Sequence, residues 1–281
     1  MNKDNNQIMA LINAYKMDGL GNDFVIIDRR KNPISINKEK IIQLGKRDNI
    51  GFDQLIFIDE IDNTVPNYNP ITIFNSDGQE VEACGNGSRC VAKILCDEEK
   101  KEGAVIVTSN RILKAQKISE NSIRLAMGEP NFEWKKIPLL KNIDHKKIDL
   151  TINDLELKDG FALNVGNPHI VFFVDDCFKY NLNEIGPLIE NHEMFPKKVN
   201  VTLAQIKDMK NILVNVWERG AGLTRACGTA ACATAVVAYE KKFTDNITNI
   251  HFKDGSLNIQ YNGLISMTGP VSDIKELIIK L

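Results

Sequence analysis

Two cysteines stand in the same local setting at widely separated points of the chain. Cys84 lies in an Ala-Cys-Gly triplet after a polar, glycine-rich stretch from Asn75, and Cys227 lies in an Ala-Cys-Gly triplet after a similar stretch from Trp217. An apolar run follows each triplet, which predicts a helix that begins at the cysteine. The first N–H groups of a helix have no intrahelical acceptor and create a positive potential. A thiolate or a ligand carboxylate is therefore stabilised there.

Two activated thiols that face one ligand suit the inversion of a stereocentre with an acidic C–H bond. One thiolate removes the proton from one face, and the other thiol delivers a proton to the opposite face. N–H groups aimed at the ligand carboxylate stabilise the charge that develops when the proton leaves. This chemistry requires neither a metal nor pyridoxal phosphate, and the four histidines lack paired metal-ligand spacing, so we expect no cofactor.

The other four cysteines have a simpler interpretation. A buried cysteine is usually a small apolar residue of the core. Each of these four lies in an apolar context; they are Cys90, Cys96, Cys177 and Cys232. We expect them to be structural, whereas the matched triplets argue against that interpretation for Cys84 and Cys227.

The two triplets belong to a longer internal repeat. Cys84 and Cys227 are 143 positions apart, and two Gly-Asn pairs that precede apolar runs, Gly21-Asn22 and Gly166-Asn167, are 145 apart. Self-similarity at a fixed offset indicates two copies of one structural unit. Two copies that face each other would present two thiols across one cleft.

Each copy shows many short strand patterns and one central helix that is apolar on all sides. Such a helix must be surrounded, and a curved sheet wrapped around it is the economical solution. The sequence therefore predicts an α/β fold of the α+β type. It has two pseudo-symmetric domains, each a curved β-sheet or barrel around a central helix.

The domain boundary is predicted where Met127–Pro130 ends a strand with Gly and Pro. This gives an N-terminal extension over 1–13, an N-terminal half over 14–129 and a C-terminal half over 130–270. The last residues, 271–281, are a candidate strand or short helix that packs back on the first half.

Three local expectations accompany this division. Residues 66–70 are predicted to be a loop before a strand at 71–74. The Lys- and Asp-rich stretch after Pro130 is expected to carry no strand as far as Asp159, and 206–208 is expected to be a turn.

Composition excludes several classes of partner. The chain has 281 residues, enough for two domains, and its 35 basic and 37 acidic residues nearly balance, so no nucleic-acid partner is expected. No apolar run reaches the roughly 20 residues of a membrane span, so no membrane partner is expected either. The N-terminal residues lack the pattern of a secretory signal, which favours a cytoplasmic location with reduced thiols.

Several motifs occur together and in a fixed order, and they cover about Ala14 to Pro270. They are Gly19-Leu20-Gly21-Asn22-Asp23-Phe24, Phe52-Asp53-Gln54, Phe74-Asn75-Ser76-Asp77-Gly78, Ala83-Cys84-Gly85-Asn86-Gly87, Gly166-Asn167-Pro168-His169, Val199-Asn200-Val201, Glu218-Arg219-Gly220-Ala221-Gly222 and Ala226-Cys227-Gly228-Thr229. In this set and order the chain resembles the diaminopimelate epimerase family. The resemblance implies a cofactor-independent epimerase that interconverts LL- and meso-diaminopimelate in lysine and cell-wall precursor synthesis, and that acts as a homodimer.

The resemblance also implies roles for individual residues. Cys84 would be the proton donor and Cys227 the acceptor in the LL-to-meso direction, with His169 and Glu218 tuning the thiol pKa values. Backbone N–H groups would hold the reacting α-carboxylate, those of Gly85, Asn86, Gly228 and Thr229. Glu218 would meet the α-ammonium, and the remaining substrate contacts would be Asn22, Gln54, Asn75, Asn167, Asn200 and Arg219.

Three positions depart from the family pattern. Ala230 stands where glycine is usual, and Leu223 replaces a common glutamate, neither of which removes a reacting group. Lys275 stands where the family often has a tyrosine at its dimer interface. The departure at Lys275 bears on how the homodimer would pack.

Other interpretations stay open at this point. Taken singly, Asn22, Asn75 and Asn167 are typical turn residues, and Glu218 with Arg219 is an ordinary exposed ion pair. Proline-type racemases also pair two cysteines on a related fold, with a histidine after the first Cys-Gly. The isomerase of phenazine synthesis shares the fold without the cysteine pair. A protein of another class would bind an amino acid without turnover, or form a regulatory disulfide between the two cysteines.

Overall fold

The structure is a computed structural model that describes residues 11–61, 67–82 and 84–281. It divides into two compact units. Unit 1 takes the chain up to Lys117 together with Val271–Leu281, and unit 2 takes Ile118–Pro270.

Unit 1 is a mixed sheet with two helices. Its elements are β1 (Leu11–Gly19), β2 (Asn22–Asp28), α1 (Lys38–Gly45), β3 (Gln54–Ile58), β4 (Tyr68–Asn75), β5 (Glu80–Val81), α2 (Gly85–Glu99), β6 (Gly103–Val107), β7 (Ile112–Ser119, which begins in unit 1) and the last strand of the chain, β18 (Lys275–Lys280). The strands lie in the order β18-β1-β2-β3-β4-β6-β7, with β5 paired to β4. The pairs β2–β3 and β4–β6 are parallel, because α1 and α2 carry the chain back between them.

Unit 2 has the same kind of sheet. Its elements are β8 (Ser122–Gly128), β9 (Ile148–Ile152), β10 (Leu155–Asn164), β11 (Pro168–Phe173), α3 (Leu182–Glu190), β12 (Asn200–Asp208), β13 (Asn211–Glu218), β14 (Gly222–Thr224), α4 (Gly228–Glu240), β15 (Ile247–Phe252), β16 (Gly255–Tyr261) and β17 (Ile265–Pro270). The strand order is β9-β10-β11-β12-β13-β15-β16-β17-β8, with β14 paired to β13.

The two units repeat one order of elements. The run from β1 to β7 in unit 1 matches the run from β10 to β16 in unit 2, helix for helix and with parallel pairs at the same two places. This repeat confirms the predicted fold class, two pseudo-symmetric domains of the α+β type.

Each sheet curves around its second helix. In unit 2, α4 packs against six strands from β10 to β17, and in unit 1, α2 packs against β1, β2, β3 and β6. Helix α4 matches the prediction of an entirely apolar helix, since its residues from Ala230 to Ala238 are buried. Helix α2 does not, because it buries Arg89 and Lys93, and Lys93 pairs with Asp97 one turn later at 3.0 Å.

The stretch predicted to lack strands contains the hairpin of β9 and β10. Its apolar residues alternate with polar ones, and Ile148, Leu150 and Ile152 point into the core of unit 2. The abundance of Lys and Asp on the solvent face concealed this period of two.

Three other local expectations were wrong. Strand β4 begins at Tyr68, inside the predicted loop, while Pro66 lies outside the described residues. Residues 206–208 continue β12 instead of turning. Strand β1 begins at Leu11, inside the predicted extension over 1–13, because its residues from Leu11 to Lys16 pair with β18.

The observed boundary between the two units lies at a different position in the chain from the predicted boundary. The division falls after Lys117, and β8 pairs with β17 inside unit 2, although it precedes the predicted boundary at 129/130. A glycine and a proline at the end of β8 mark the end of a strand there, not the end of a domain.

Candidate active site

Cys84 is the N-cap residue of α2, as the loop-to-helix pattern predicted. Its sulfur accepts the Gly87 N–H at 3.4 Å, and its carbonyl accepts the Ser88 N–H at 2.8 Å. The thiol lies 3.8 Å from the side-chain oxygen Oδ1 of Asn22. The N–H groups of Gly85 and Asn86 are in the first turn of α2 and have no acceptor within the helix, so they are positioned to bind an anion.

A glycine allows α2 to begin this close to the sheet. A Cβ on Gly87 would lie 2.5 Å from Ile56 Cδ1 and 3.3 Å from the Phe24 ring. The first turn of α2 therefore rests directly on β2 and β3, which fixes the position of Cys84.

Asn22 is held by an ionic cluster. Its amide donates to Asp53 at 2.8 Å, and Asp53 also accepts the Asp23 N–H at 3.0 Å. Arg47 bridges Asp23 and Asp53, and Lys16 contacts Asp23 at 2.6 Å. These contacts lower the pKa of Asp23, although its burial opposes the effect. With its N–H₂ group held by Asp53, Asn22 presents its oxygen to Cys84.

Gln54 and Asn75 form a second polar pair in unit 1. The Gln54 amide donates to the Asn75 oxygen at 3.0 Å, while Gln54 Oε1 is buried and has no partner among the described residues. Asn86 is buried, and its side-chain oxygen accepts from Arg89 at 2.8 Å. An unpartnered buried acceptor such as Gln54 Oε1 suits an ammonium group of a ligand.

Cys227 is the N-cap residue of α4 in unit 2, and a line of hydrogen bonds leads to its sulfur. The His169 Nε2–H donates to Asn167 Oδ1 at 2.9 Å, since that oxygen can only accept. Asn167 donates to the Thr229 hydroxyl at 3.3 Å, and that hydroxyl lies 3.4 Å from Cys227 Sγ. Thr229 accepts from Asn167, so its own proton is available to the sulfur.

The His169 ring is neutral at ordinary pH. Burial and the nearby Arg219 cation lower the pKa of His169 to about 3. Its Nδ1 is buried without a partner among the described residues. His169 is therefore a fixed hydrogen-bond donor at Nε2.

Cys227 and Glu218 form a coupled pair. Burial raises the pKa of Cys227 well above the ordinary thiol value, and the charge and hydrogen bond of Glu218 raise it further, while Thr229 and the Ala230 amide oppose the rise. Burial also raises the pKa of Glu218, although the contacts of its carboxylate with Cys227 and Thr224 lower it in part. A neutral thiol beside a carboxylate is poised to share its proton.

A tight turn between β13 and β14 carries Glu218 and Arg219. The Arg219 N–H donates to Asn200 Oδ1 at 2.9 Å, and its guanidinium donates to the Lys197 carbonyl at 3.1 Å. Asn200 in turn donates to the Pro168 carbonyl at 2.7 Å. In the structure Asn200 thus connects the turn to the strand that carries His169.

The predicted site residues form two clusters. The Cys84 cluster in unit 1 comprises Asn22, Gln54, Asn75, Cys84, Gly85 and Asn86. The Cys227 cluster in unit 2 comprises Asn167, His169, Asn200, Glu218, Arg219, Cys227, Gly228 and Thr229. Within each cluster these residues lie at or beside the ends of strands and in or beside the first turn of one helix.

Sequence reasoning missed two supporting carboxylates. Asp53, which holds Asn22, lies inside a motif that was attributed to its neighbour Gln54. Glu190 follows Leu182, Gly186 and Ile189 at helical spacing, which places it on the buried face of α3. That spacing was the available signal.

The remaining cysteines match the structural interpretation. Cys90, Cys96, Cys177 and Cys232 are all buried, and burial raises the pKa of Cys177 to about 11. No disulfide joins any of the six cysteines, all of which are described. The described ranges contain no metal-binding group of three or more His, Cys, Asp or Glu residues, and no helix in them is long and apolar enough to cross a membrane.

Solved structures share this fold. A phenazine biosynthesis protein of the PhzF family from Bacillus anthracis aligns with a TM-score of 0.67 at 17% identity, over 96% of this chain and 99% of its own. A hydroxyproline epimerase from Agrobacterium vitis aligns with a TM-score of 0.62 at 12% identity, over 96% of this chain and 93% of its own. Identities this low establish the common fold alone.

Sequence comparison is more specific. A sequence model of the family described as diaminopimelate epimerase matches residues 14–133 and 161–274. A diaminopimelate epimerase of Pelagibacter ubique strain HTCC1062 is 48% identical over 278 residues, covering 96% of this chain and 99% of its own. One from Zymomonas mobilis is 40% identical over 92% of this chain and 93% of its own. The chain therefore belongs to the diaminopimelate epimerase family.

Proposed function

We propose that this enzyme interconverts LL- and meso-diaminopimelate with Cys84 and Cys227 as a paired acid and base. The observation that carries the proposal is the matched pair of N-cap cysteines, each at the first turn of a buried helix and each inside a polar cluster. Family membership names the reaction, and the clusters supply the groups that it needs. No cofactor enters the proposal, since two thiols suffice for proton removal and delivery.

Proton transfer follows from the surroundings of each thiol. In the LL-to-meso direction, Cys227 removes the α-proton after Glu218 has taken the thiol proton, and Cys84 delivers a proton to the opposite face. The Glu218 carboxyl has a raised pKa and hydrogen-bonds Cys227, so it is suited to hold that proton. In the reverse direction the two cysteines exchange roles.

The helix N-termini stabilise the charge that develops on the α-carboxylate. The N–H groups of Gly85, Asn86, Gly228 and Thr229 hold this carboxylate in the proposal, and Glu218 meets the α-ammonium. Preorganised N–H groups of this kind commonly contribute a few kcal/mol to the stabilisation of a transition state.

The distal amino-acid end is bound by the polar side chains of both clusters. Arg219 binds its carboxylate through the guanidinium fork, and the buried acceptor of Gln54 binds its ammonium. The other contacts are Asn22, Asn75, Asn167 and Asn200. A proline-sized ligand would leave these groups without partners, which favours diaminopimelate over the proline-type alternative.

The assembly and location are also proposals. The family resemblance favours a homodimer in the cytoplasm with neither a nucleic-acid nor a membrane partner. Lys275, at the start of β18, is exposed and replaces the tyrosine expected at that interface, so the dimer contact would be made differently there.

The experiment is incubation of the enzyme with LL-diaminopimelate in D₂O. We expect meso product that carries deuterium at the inverted α-carbon. LL-diaminopimelate recovered early in the reaction should keep its α-hydrogen. Cys84→Ala and Cys227→Ala should each lower the rate by at least about 100-fold, since each removes one acid–base group. Cys96→Ala in α2 and Cys232→Ala in α4 are the matched controls and should stay active.

Three results would decide against the proposal. Turnover near wild type in either cysteine variant would refute the two-base scheme. Efficient racemisation of proline would favour the alternative racemase. Binding of diaminopimelate without deuterium uptake would indicate a binding protein.

A further inference from the structure

A buried carboxylate lies behind the turn that carries Glu218 and Arg219. Glu190 is the last residue of α3, and its side chain is 6% exposed. Its Oε2 accepts the Trp217 indole N–H at 2.7 Å, and its Oε1 accepts the backbone N–H of Gly220 at 3.1 Å. The Lys198 ammonium lies 3.5 Å away and balances the charge.

Helix α3 contacts the Trp217 ring as well as the indole N–H. A Cβ on Gly186 would lie 2.5 to 2.8 Å from three atoms of that ring. Gly186 and Glu190 are four residues apart, so they lie on the same face of α3. The indole therefore packs on the helix backbone with its N–H directed at the carboxylate one turn later.

The turn is thus held from both ends. Asn200 accepts the Arg219 N–H on one side, and Glu190 accepts the Gly220 N–H on the other. Within the turn, the Ala221 N–H closes on the Glu218 carbonyl at 3.1 Å, and Gly220 adopts a φ of +77°. The pairing of Glu218 with Gly222 closes the hairpin, and the acceptors on Asn200 and Glu190 fix the two N–H groups at its tip.

We propose that Glu190 is a positioning residue that holds Glu218 and Arg219 where they meet the substrate. The inference rests on the proposed function, in which both side chains contact diaminopimelate. A carboxylate offers acceptors to both N–H groups at once, whereas the amide of a glutamine must turn its N–H₂ group toward one of them. A displaced turn would weaken binding by Glu218 and Arg219 together.

The test compares Glu190→Gln with Glu184→Gln, a matched change on the exposed face of α3. We expect Glu190→Gln to raise KM for LL-diaminopimelate about tenfold and to lower kcat per folded enzyme by about three- to tenfold, while Glu184→Gln behaves as wild type. KM rises because Glu218 and Arg219 bind substrate less well, and kcat falls because Glu218 also takes the Cys227 proton. Glu190→Asp keeps the charge and should give an intermediate KM.

A second measurement reports the contact directly. The chain has two tryptophans, so the indole N–H region of its NMR spectrum contains two resonances, and Glu190→Gln should move only that of Trp217. A shifted resonance with wild-type KM would overturn the positioning role. A lower yield of folded enzyme with unchanged KM would overturn it too, since that indicates a structural role alone.

Failure of the proposed function is distinguishable from failure of this inference. If wild type and Glu184→Gln both lack epimerase activity, the proposed function fails, and the dissociation constant for diaminopimelate by calorimetry replaces KM. An equal dissociation constant for wild type and Glu190→Gln would then overturn the role of Glu190.

Discussion

At the level of single residues, a line of hydrogen bonds from His169 ends at the Cys227 sulfur. The His169 donor orients the Asn167 amide, and that amide fixes the Thr229 hydroxyl beside the thiol. The sequence reasoning assigned His169 to pKa tuning. The geometry supports an effect on Cys227 through two intermediate side chains, with a ring that does not itself change charge.

A pH experiment checks the neutral ring. His169 has a pKa of about 3 in the folded protein and about 6.5 in an unfolded chain. Below pH 6.5 the unfolded state therefore binds a proton that the folded state does not, and stability falls as the pH decreases toward 3. Between pH 6.5 and 5 the free energy of unfolding should fall by roughly 1–2 kcal/mol more in wild type than in His169→Asn.

Guanidinium unfolding at the two pH values measures this difference. NMR of the labelled imidazoles provides the control, because the resonances missing from His169→Asn identify His169. A titration midpoint for that ring within one unit of 6.5 would contradict the expected neutral state.

At the level of elements, the first turn of α2 depends on the absence of one side chain. Gly87 lets the helix approach β3 until Ile56 occupies the space that a Cβ would need. Elsewhere in a helix, alanine is more stabilising than glycine by about 1 kcal/mol. At Gly87 the steric cost opposes that preference.

Gly87→Ala tests this contact. We expect a loss of about 1–3 kcal/mol of stability from overpacking, together with lower activity as Cys84 moves. Ile56→Val removes only the Cδ1 atom and should cost about 0.5–1.5 kcal/mol alone. The double variant should lose less than the two single losses together, as measured by thermal and guanidinium unfolding. Additive losses would show that Ile56 is not the limiting contact.

The elements differ in how far the sequence could predict them. Both cysteine helices were predictable because a polar loop and an apolar run meet at one residue. The β9–β10 hairpin was missed because its solvent face is polar and mostly charged. Its apolar residues indicate a strand only when every second residue is read together. The predicted site residues could be named from motifs, but Glu190 acts through bonds to Trp217 and Gly220, which only the folded chain brings near.

At the level of the whole molecule, one order of elements occurs twice and each copy supplies one cysteine cluster. The proposed reaction requires the two clusters to meet one substrate. A disulfide provides a measure of that approach, because it forms only when two Cα atoms come within about 7 Å.

Mild oxidation with diamide should therefore inactivate the enzyme by joining Cys84 to Cys227. Dithiothreitol should restore activity, and peptide mapping should identify the linked pair. Prior binding of diaminopimelate should protect both thiols, and Cys96→Ala should behave as wild type. Inactivation that persists in dithiothreitol, or maps to other cysteines, would contradict a facing pair.

The pairing of β18 with β1 affects how the protein is made. Unit 1 contains both β1 and β18, and Ile279 of β18 is buried in its core. Unit 2 is one continuous segment, and its last residue, Pro270, is translated before β18. Although the synthesis of unit 1 begins first, the edge of β1 therefore stays uncovered until β18 has been made.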